Sequence, residues 1–313
     1  MIREKAWWPW AKRIVGLLFM LLVITLLVRY AQRVDWDDVM ESLRALPRST
    51  LLLAAALAAT SHLLYSTFDL IGRRYTGHQL PVPQVMQVNF ISYAFNLNMG
   101  SAVGGVGFRY RLYSRLGLAY GDITKVLTIS MLTNWIGFFL QAGLVFTLAP
   151  LELPPQWKID SEGLRLLGLA FLTVAFVYIG LCGWSPKRSF TVRGHELLLP
   201  RPKMAAAQLA VSCTNWMVIG ATIWVLLQGK VAYAEVLSVF LVGALAGIVV
   251  RVPAGLGVLE AVFIGLLSHR IPEGQLLAGL LAYRAVYYIA PLLAAAVLYL
   301  TVELRARKRL AAA

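Results

Sequence analysis

Charge, cysteine and histidine are all scarce in this sequence. Of its 313 residues only 14% are charged, against about 25% in a soluble domain. The hydrophobic share is 59% and the mean hydropathy is +0.70. Those values exclude a water-soluble globule, a disordered chain and a fibrous one. Cys182 and Cys213 lie inside apolar runs, so they supply neither a disulfide framework nor a CxxC metal spacing. His62, His78, His195 and His269 are scattered. No HExxH, GxSxG, Walker A or strand-linked GxGxxG pattern occurs. No metal, cofactor or enzymatic constellation is therefore expected. Long polar segments are missing too. The longest, residues 29–50 and 185–203, leave no room for a separate soluble enzyme domain. Negative charge is the scarcer sign, with 15 Asp+Glu against 29 Lys+Arg and a net charge of +14. Cationic loops on the cytoplasmic face of a membrane, against anionic headgroups, explain that excess better than nucleic acid does.

What is present is a series of apolar runs. The first, Ile14 to Val28, ends at Arg29-Tyr30 without a small-residue cleavage site and reads as a retained helix. Trp7, Trp8 and Trp10 before it suit an interfacial aromatic belt. The others cover 51–71, 85–103, 123–149, 164–184, 204–227, 236–268 and 276–302. Between the first two runs, Asp35 is placed to cap a short helix with Trp36, Val39, Met40 and Leu43 on one face. Two readings of it stay open: a helix on the outer membrane surface, or an ordinary connection.

Charge sets the orientation. If all eight runs cross once, the acidic loop 150–163 falls inside and the basic loop 185–203 outside, against the positive-inside rule. If 85–103 and 236–268 dip in and return, every loop moves to its favoured side. The cytoplasmic side then holds nineteen Lys and Arg: four at 3–13, two at 73–74, four at 109–125, five at 187–203 and four at 305–309. Eight remain outside, and Arg251 and Arg284 sit within apolar sequence. The expectation is an all-α polytopic protein with about six full spans, two re-entrant elements and both termini cytoplasmic.

Composition marks the same two runs as broken. Gly100, Gly104, Gly105 and Gly107 interrupt the first, and Pro253, Gly255 and Gly257 the second. Glycine costs about 1 kcal/mol and proline about 3 relative to alanine in a helix, which disfavours a continuous lipid-facing helix through either stretch. Non-helical backbone survives at membrane depth when buried in protein or lining a wet cavity. The order span, broken element, span then occurs twice, centred near 61, 104 and 136 and near 216, 256 and 288. Within a single domain, 1–313, this predicts inverted units of about 51–149 and 204–302, with the broken elements facing a transport site. The tripeptide TNW at 133–135 and 214–216 falls in non-equivalent elements and reads as coincidence.

The ionisable residues inside this apolar sequence are functional candidates by default. Arg251 and Glu260 flank PAGLGVL, and Arg284 sits in LLAYRAVYYIAP. Either they form a cationic site for a phosphate or carboxylate, with Glu260 holding one arginine or moving a proton, or an Arg–Glu pair merely locks the break. Arg109 and Arg111 follow the glycine-rich turn directly and are open between site and cytoplasmic charge; Arg115 fits the latter. Asn96 and Asn98 either cap helix ends or contact a headgroup. His62 and Asp69, seven residues apart, should face the interior of one helix, as packing polarity in preference to a proton relay. Asn134, Gln141 and Asn215 are expected to bond between helices.

The segments SYAFNLNMGSAVGGVGFRYRLYSRLGL, PAGLGVLEAVF and LAYRAVYYIAPLL carry a resemblance across essentially the whole chain. The sequence resembles the YbhN-like family of bacterial inner-membrane proteins, itself similar to the flippase part of lysylphosphatidylglycerol synthases. The resemblance implies an inner-membrane transporter or flippase of an anionic phospholipid or related amphiphile. In the synthases a second membrane portion and a soluble aminoacyl-transferase domain follow; neither follows in these 313 residues, so lipid handling without aminoacylation is expected. The family motif points to Asn96, Gly104, Gly105, Arg109, Arg111, Arg251, Pro253, Gly255, Gly257, Glu260 and Arg284 as substrate-binding. The rival reading is a non-transporting membrane partner of a lipid-synthesis or envelope complex. An arginine-lined cavity favours transport; tight, dry packing of both broken elements favours the rival.

Overall fold

A computed structural model describes residues 32, 35–149, 151, 153, 160–186, 189–192, 195–250 and 255–311. The expected first helix at 14–28 and the residues Arg251 and Pro253 lie outside the described residues.

The protein is a helical bundle. Asp35 caps α1 (Trp36–Arg44) as expected, accepting from the backbone N–H of Asp37 and Asp38 at 3.1 and 3.2 Å. The helix packs on the start of α11, burying Val39 against Leu277 and Ala278 and leaving Trp36 and Met40 exposed. Its apolar stripe is thus divided between protein and surroundings.

The first span is bent. α2 (Arg48–Ser66) and α3 (Phe68–Thr76) meet at Thr67, and Gly77 ends α3 in the left-handed conformation. α4 (Val82–Met99) follows, then a π-helical segment (Ser101–Gly107) and α5 (Phe108–Arg115). The long helices α6 (Tyr120–Leu148), α7 (Ser161–Trp184) and α8 (Pro202–Leu226) come next. Between α7 and α8 a two-stranded antiparallel hairpin pairs β1 (Ser189–Val192) with β2 (His195–Leu198). Sequence reading missed it because two four-residue strands beside charged residues leave no apolar periodicity. α9 (Tyr233–Val250), α10 (Val258–Leu267) and α11 (Glu273–Tyr283) precede a second π-helical segment (Arg284–Ile289) and α12 (Ala290–Ala311).

Among the described residues six helical stretches are long and apolar enough to cross a membrane: Arg48–Thr76, Tyr120–Leu148, Ser161–Trp184, Pro202–Leu226, Tyr233–Val250 and Glu273–Leu304. Large apolar side chains such as Leu52, Leu63, Leu166 and Phe176 are exposed along them, which suits a lipid surround. Small residues bring the helices close. At Gly137 on α6 an added Cβ would lie 2.1 Å from Ser212 Oγ on α8, so only glycine permits that approach.

Both broken elements fold back on themselves. In the first, Leu112 and Tyr113 of α5 share a core with Val85, Val88 and Ile91 of α4. In the second, α10 packs against α9, and Arg270 beyond α10 bonds Glu235 at the start of α9 at 2.6 Å. Each element therefore begins and ends at one end of the molecule. Arg111 and Arg115 of α5 pair with Glu303 of α12, which sets the exit of the first hairpin level with the C-terminal end of α12. α4 also packs on α2 and α12, while α9 packs on α8 and α6.

Candidate functional site

The sharpest part of the site is the turn in the first broken element. At Gly104 an added Cβ would lie 2.1 Å from the backbone nitrogen of Asn96 and 2.4 Å from its Cα. Only a hydrogen fits between the π-helical segment and α4, which is why the chain can double back here. Gly105 lies over the Asn96 side chain, and its carbonyl accepts from Arg109 Nη1 at 3.0 Å. In the second element Gly257 has φ +78°, a left-handed turn that starts α10.

Each hairpin carries one member of a buried ion pair. Arg109 donates from Nε and Nη2 to Asp69 of α3 at 3.0 and 3.3 Å, and from Nη2 to Asn89 Oδ1 of α4 at 2.6 Å. Tyr113 donates to the same carboxylate at 2.9 Å. Asp69 is wholly buried and Arg109 nearly so. Every oxygen of this carboxylate is occupied, so the pair is a lock, holding α3, α4 and α5 together. Asp69 faces the interior as expected, but with Arg109 as its partner. The bend at Thr67 divides His62 from Asp69 into separate helices, which ends the single-face relation.

In the second hairpin Glu260 of α10 receives Arg284 Nε at 2.5 Å and Nη2 at 3.1 Å; Nη2 also donates to the Gly255 carbonyl at 3.0 Å. Glu260 thus holds an arginine from the following span. The guanidinium lies 5.2 Å from the Tyr288 ring.

Beside that pair opens a cavity of about 390 Å³. Asn96 and Ser101 at the first turn and Gly255 and Leu259 at the second contribute to its wall, with Arg284 and Tyr288 between them. Trp216, Phe240, Tyr283 and Tyr287 make it more aromatic than the arginine-lined cavity expected. The candidate residues therefore separate. Asn96, Gly255 and Arg284 meet at the cavity, and Glu260 holds Arg284 there. Gly104, Gly105 and Gly257 shape the turns. Arg109 lies in the lock, and Arg111 is half exposed beside Glu303. Arg115 also pairs with Glu303.

Other polar groups serve helix contacts. Asn98 donates to the carbonyls of Ala94 and Tyr288. Asn215 accepts from Ser61 Oγ at 2.7 Å. The two TNW copies touch, Trp216 Nε1 donating to the Asn134 carbonyl at 3.3 Å, and Ser212 Oγ donates to the same carbonyl at 3.2 Å. Gln208, which sequence reading passed over, is fully buried and joins Tyr178 to Thr133. Its lone amide in an apolar run was the available signal.

These features define a polytopic α-helical integral membrane protein in which two broken hairpins face one cavity. The chain belongs to the lysylphosphatidylglycerol synthase transmembrane family, whose "Lysylphosphatidylglycerol synthase TM region" matches residues 13–295. It is 48% identical over 302 residues to inner membrane protein YbhN of Escherichia coli, covering 96% of this chain and 95% of that protein. An uncharacterized protein of Synechocystis sp. is 28% identical over 82% of this chain and 80% of its own length. Phosphatidylglycerol lysyltransferase of Staphylococcus aureus is 25% identical over 90% of this chain, which spans 32% of that larger protein.

Proposed function

We propose that this protein moves an anionic phospholipid or a related amphiphile across the bacterial inner membrane. The observation that carries the reading is the cavity between the two hairpin turns, with Arg284 and the Asn96 side chain at its polar end. The guanidinium of Arg284, held in place by Glu260, brings positive charge to the cavity wall, which suits an anionic headgroup, and Trp216, Phe240 and the tyrosines offer apolar surface to the rest of an amphiphile. The family relationship to a phosphatidylglycerol-modifying protein supports the same substrate class.

In this reading both hairpins re-enter the membrane, from opposite faces, and the units 51–149 and 204–302 are inverted repeats. The pairing of each first arm with the first span of its own unit and the last span of the other supports the repeat. Both termini lie in the cytoplasm. Of the substrate-binding set, Asn96, Gly255, Glu260 and Arg284 form the site. Gly104, Gly105 and Gly257 shape it, and Arg109 and Arg111 hold the first hairpin in place.

The test is leaflet-resolved lipid movement by the purified protein in vesicles carrying labelled phosphatidylglycerol, phosphatidylethanolamine or phosphatidylcholine. Movement above protein-free vesicles, strongest for the anionic label and lost in Arg284→Ala, is the expected result. Background rates for every label would reject transport and favour the non-transporting partner.

A further inference from the structure

His62 on α2 lies one side-chain layer behind the cavity wall and is 3% exposed. Its ring centroid is 4.8 Å from that of Tyr287 and 5.2 Å from that of Tyr93, both of which line the cavity, and 5.9 Å from Phe90. Nδ1 lies 2.9 Å from the Ala58 carbonyl. A carbonyl only accepts, so Nδ1 carries the hydrogen in that bond and Nε2 presents a bare lone pair. Among the described residues nothing bonds Nε2.

The surrounding hydroxyls explain why. Ser61 Oγ donates to Asn215 Oδ1 at 2.7 Å. The Tyr287 hydroxyl, 2.7 Å from Ser61 Oγ, must then donate to it. The Tyr93 hydroxyl, 3.1 Å from that of Tyr287, donates in turn to Tyr287. All three hydrogens point along one chain toward α8, and none remains for the imidazole. A histidine serving only to pack would be cheaper as an aromatic residue, because a buried unpaired acceptor is destabilising.

We propose that Nε2 of His62 is a proton-binding site that couples movement of the lipid to a proton gradient; this rests on the transport reading above. A proton arriving from the cavity adds to the Nε2 lone pair and makes an imidazolium, and its release to the other side regenerates the neutral ring. The Tyr93 and Tyr287 rings, each tilted 55° to the imidazole, lie within cation–π distance of it. The groups that face His62 are Tyr93 and Phe90 from α4, Tyr287 from the second π-helical segment and, next to Ser61, Asn215 from α8; Tyr65 of its own helix stacks on Tyr93. The nearby carboxylates are engaged, Asp69 by Arg109 and Glu260 by Arg284. The site therefore gains one positive charge when it loads.

The experiment uses the full chain in phosphatidylcholine vesicles with a labelled phosphatidylglycerol probe, with and without a gradient of about one pH unit. For one coupled proton such a gradient is worth about a tenfold ratio, so the probe should accumulate about tenfold on one leaflet. His62→Gln should move it to an even distribution whatever the gradient. Movement by the wild type that ignores the gradient would overturn coupling and leave transport intact. No movement under any condition would overturn transport and coupling together. Should His62→Gln fail to fold, isotope-labelled histidine in the wild type gives a second measurement, with His62→Phe identifying the signal. The Nε2 signal is expected to change with pH across the range in which the gradient drives movement. A signal that stays constant while the gradient drives movement would overturn the site.

Discussion

Two buried arginine–carboxylate pairs sit at corresponding places in the two hairpins, yet their surroundings differ. Arg109–Asp69 is sealed: Asn89, Tyr113 and the Gly105 carbonyl complete its hydrogen bonds, and the carboxylate has no exposure. Arg284–Glu260 retains about a tenth of its side-chain exposure and opens on the cavity with Tyr288 and Asn96. The carriers are reversed as well, with arginine on the first returning arm and glutamate on the second. Chemical type alone thus does not assign a role. A charge that is fully paired and closed from solvent organises helices, whereas one beside a cavity can also meet a ligand.

The largest expected effect separates the two pairs by stability. Asp69→Ala strands a buried guanidinium and should cost about 3–5 kcal/mol, read as loss of folded protein in a thermal melt in detergent. The double variant Asp69→Ala/Arg109→Ala should regain much of that. If the single variant melts like the wild type, the lock is not structural. Glu260→Ala, at the more exposed pair, should cost less, about 2 kcal/mol. Here the double Glu260→Ala/Arg284→Ala should be stable yet move no lipid. Restored movement in it would reduce this pair to a second lock.

The turns offer a finer comparison. Gly104→Ala drives a methyl into the α4 backbone and should destabilise by about 1–3 kcal/mol. Gly247→Ala, inside α9 with nothing within 4 Å of its Cβ, should leave stability unchanged or raise it by up to about 1 kcal/mol. Equal melting of the two variants would mean that the close approach at Asn96 is not required. Gly257→Leu places a side chain at φ +78° and should cost about 1–2 kcal/mol. The smallest structural perturbation tests the opposed hairpins directly. A cysteine at Ser189 should be protected from an impermeant thiol reagent in intact cells, and one at Gly163 labelled. The reverse pattern would make the first hairpin a full crossing and remove the inverted repeat.

Much of this architecture is written locally. The apolar runs specify membrane helices because in lipid each helix satisfies its own backbone. The Gly100–Gly107 cluster and the Gly255–Gly257 pair mark where the helices turn, since local backbone energetics decide that. The Asp35 cap is legible for the same reason, as it involves neighbours two and three residues on. Counting basic residues predicts that the first hairpin exits beside the end of the last span, and Arg111 and Arg115 do meet Glu303 there.

The pairings were not legible, because one sequence carries no information on which distant charges meet. Arg109 could be seen beside the turn, but its partner Asp69 lies 40 residues away on another helix. Glu260 reads as an acid awaiting an arginine, and only the packing of α10 against the next span selects Arg284. His62 appears in sequence as packing polarity. Its open nitrogen follows from Ser61, Tyr93, Tyr287 and Asn215, on four elements, directing every hydrogen elsewhere. Composition and short-range propensity determined where this chain forms apolar helices and where they break. Tertiary packing alone decided which buried charges are sealed and which face a cavity, because burial belongs to the assembled helices and to no residue by itself.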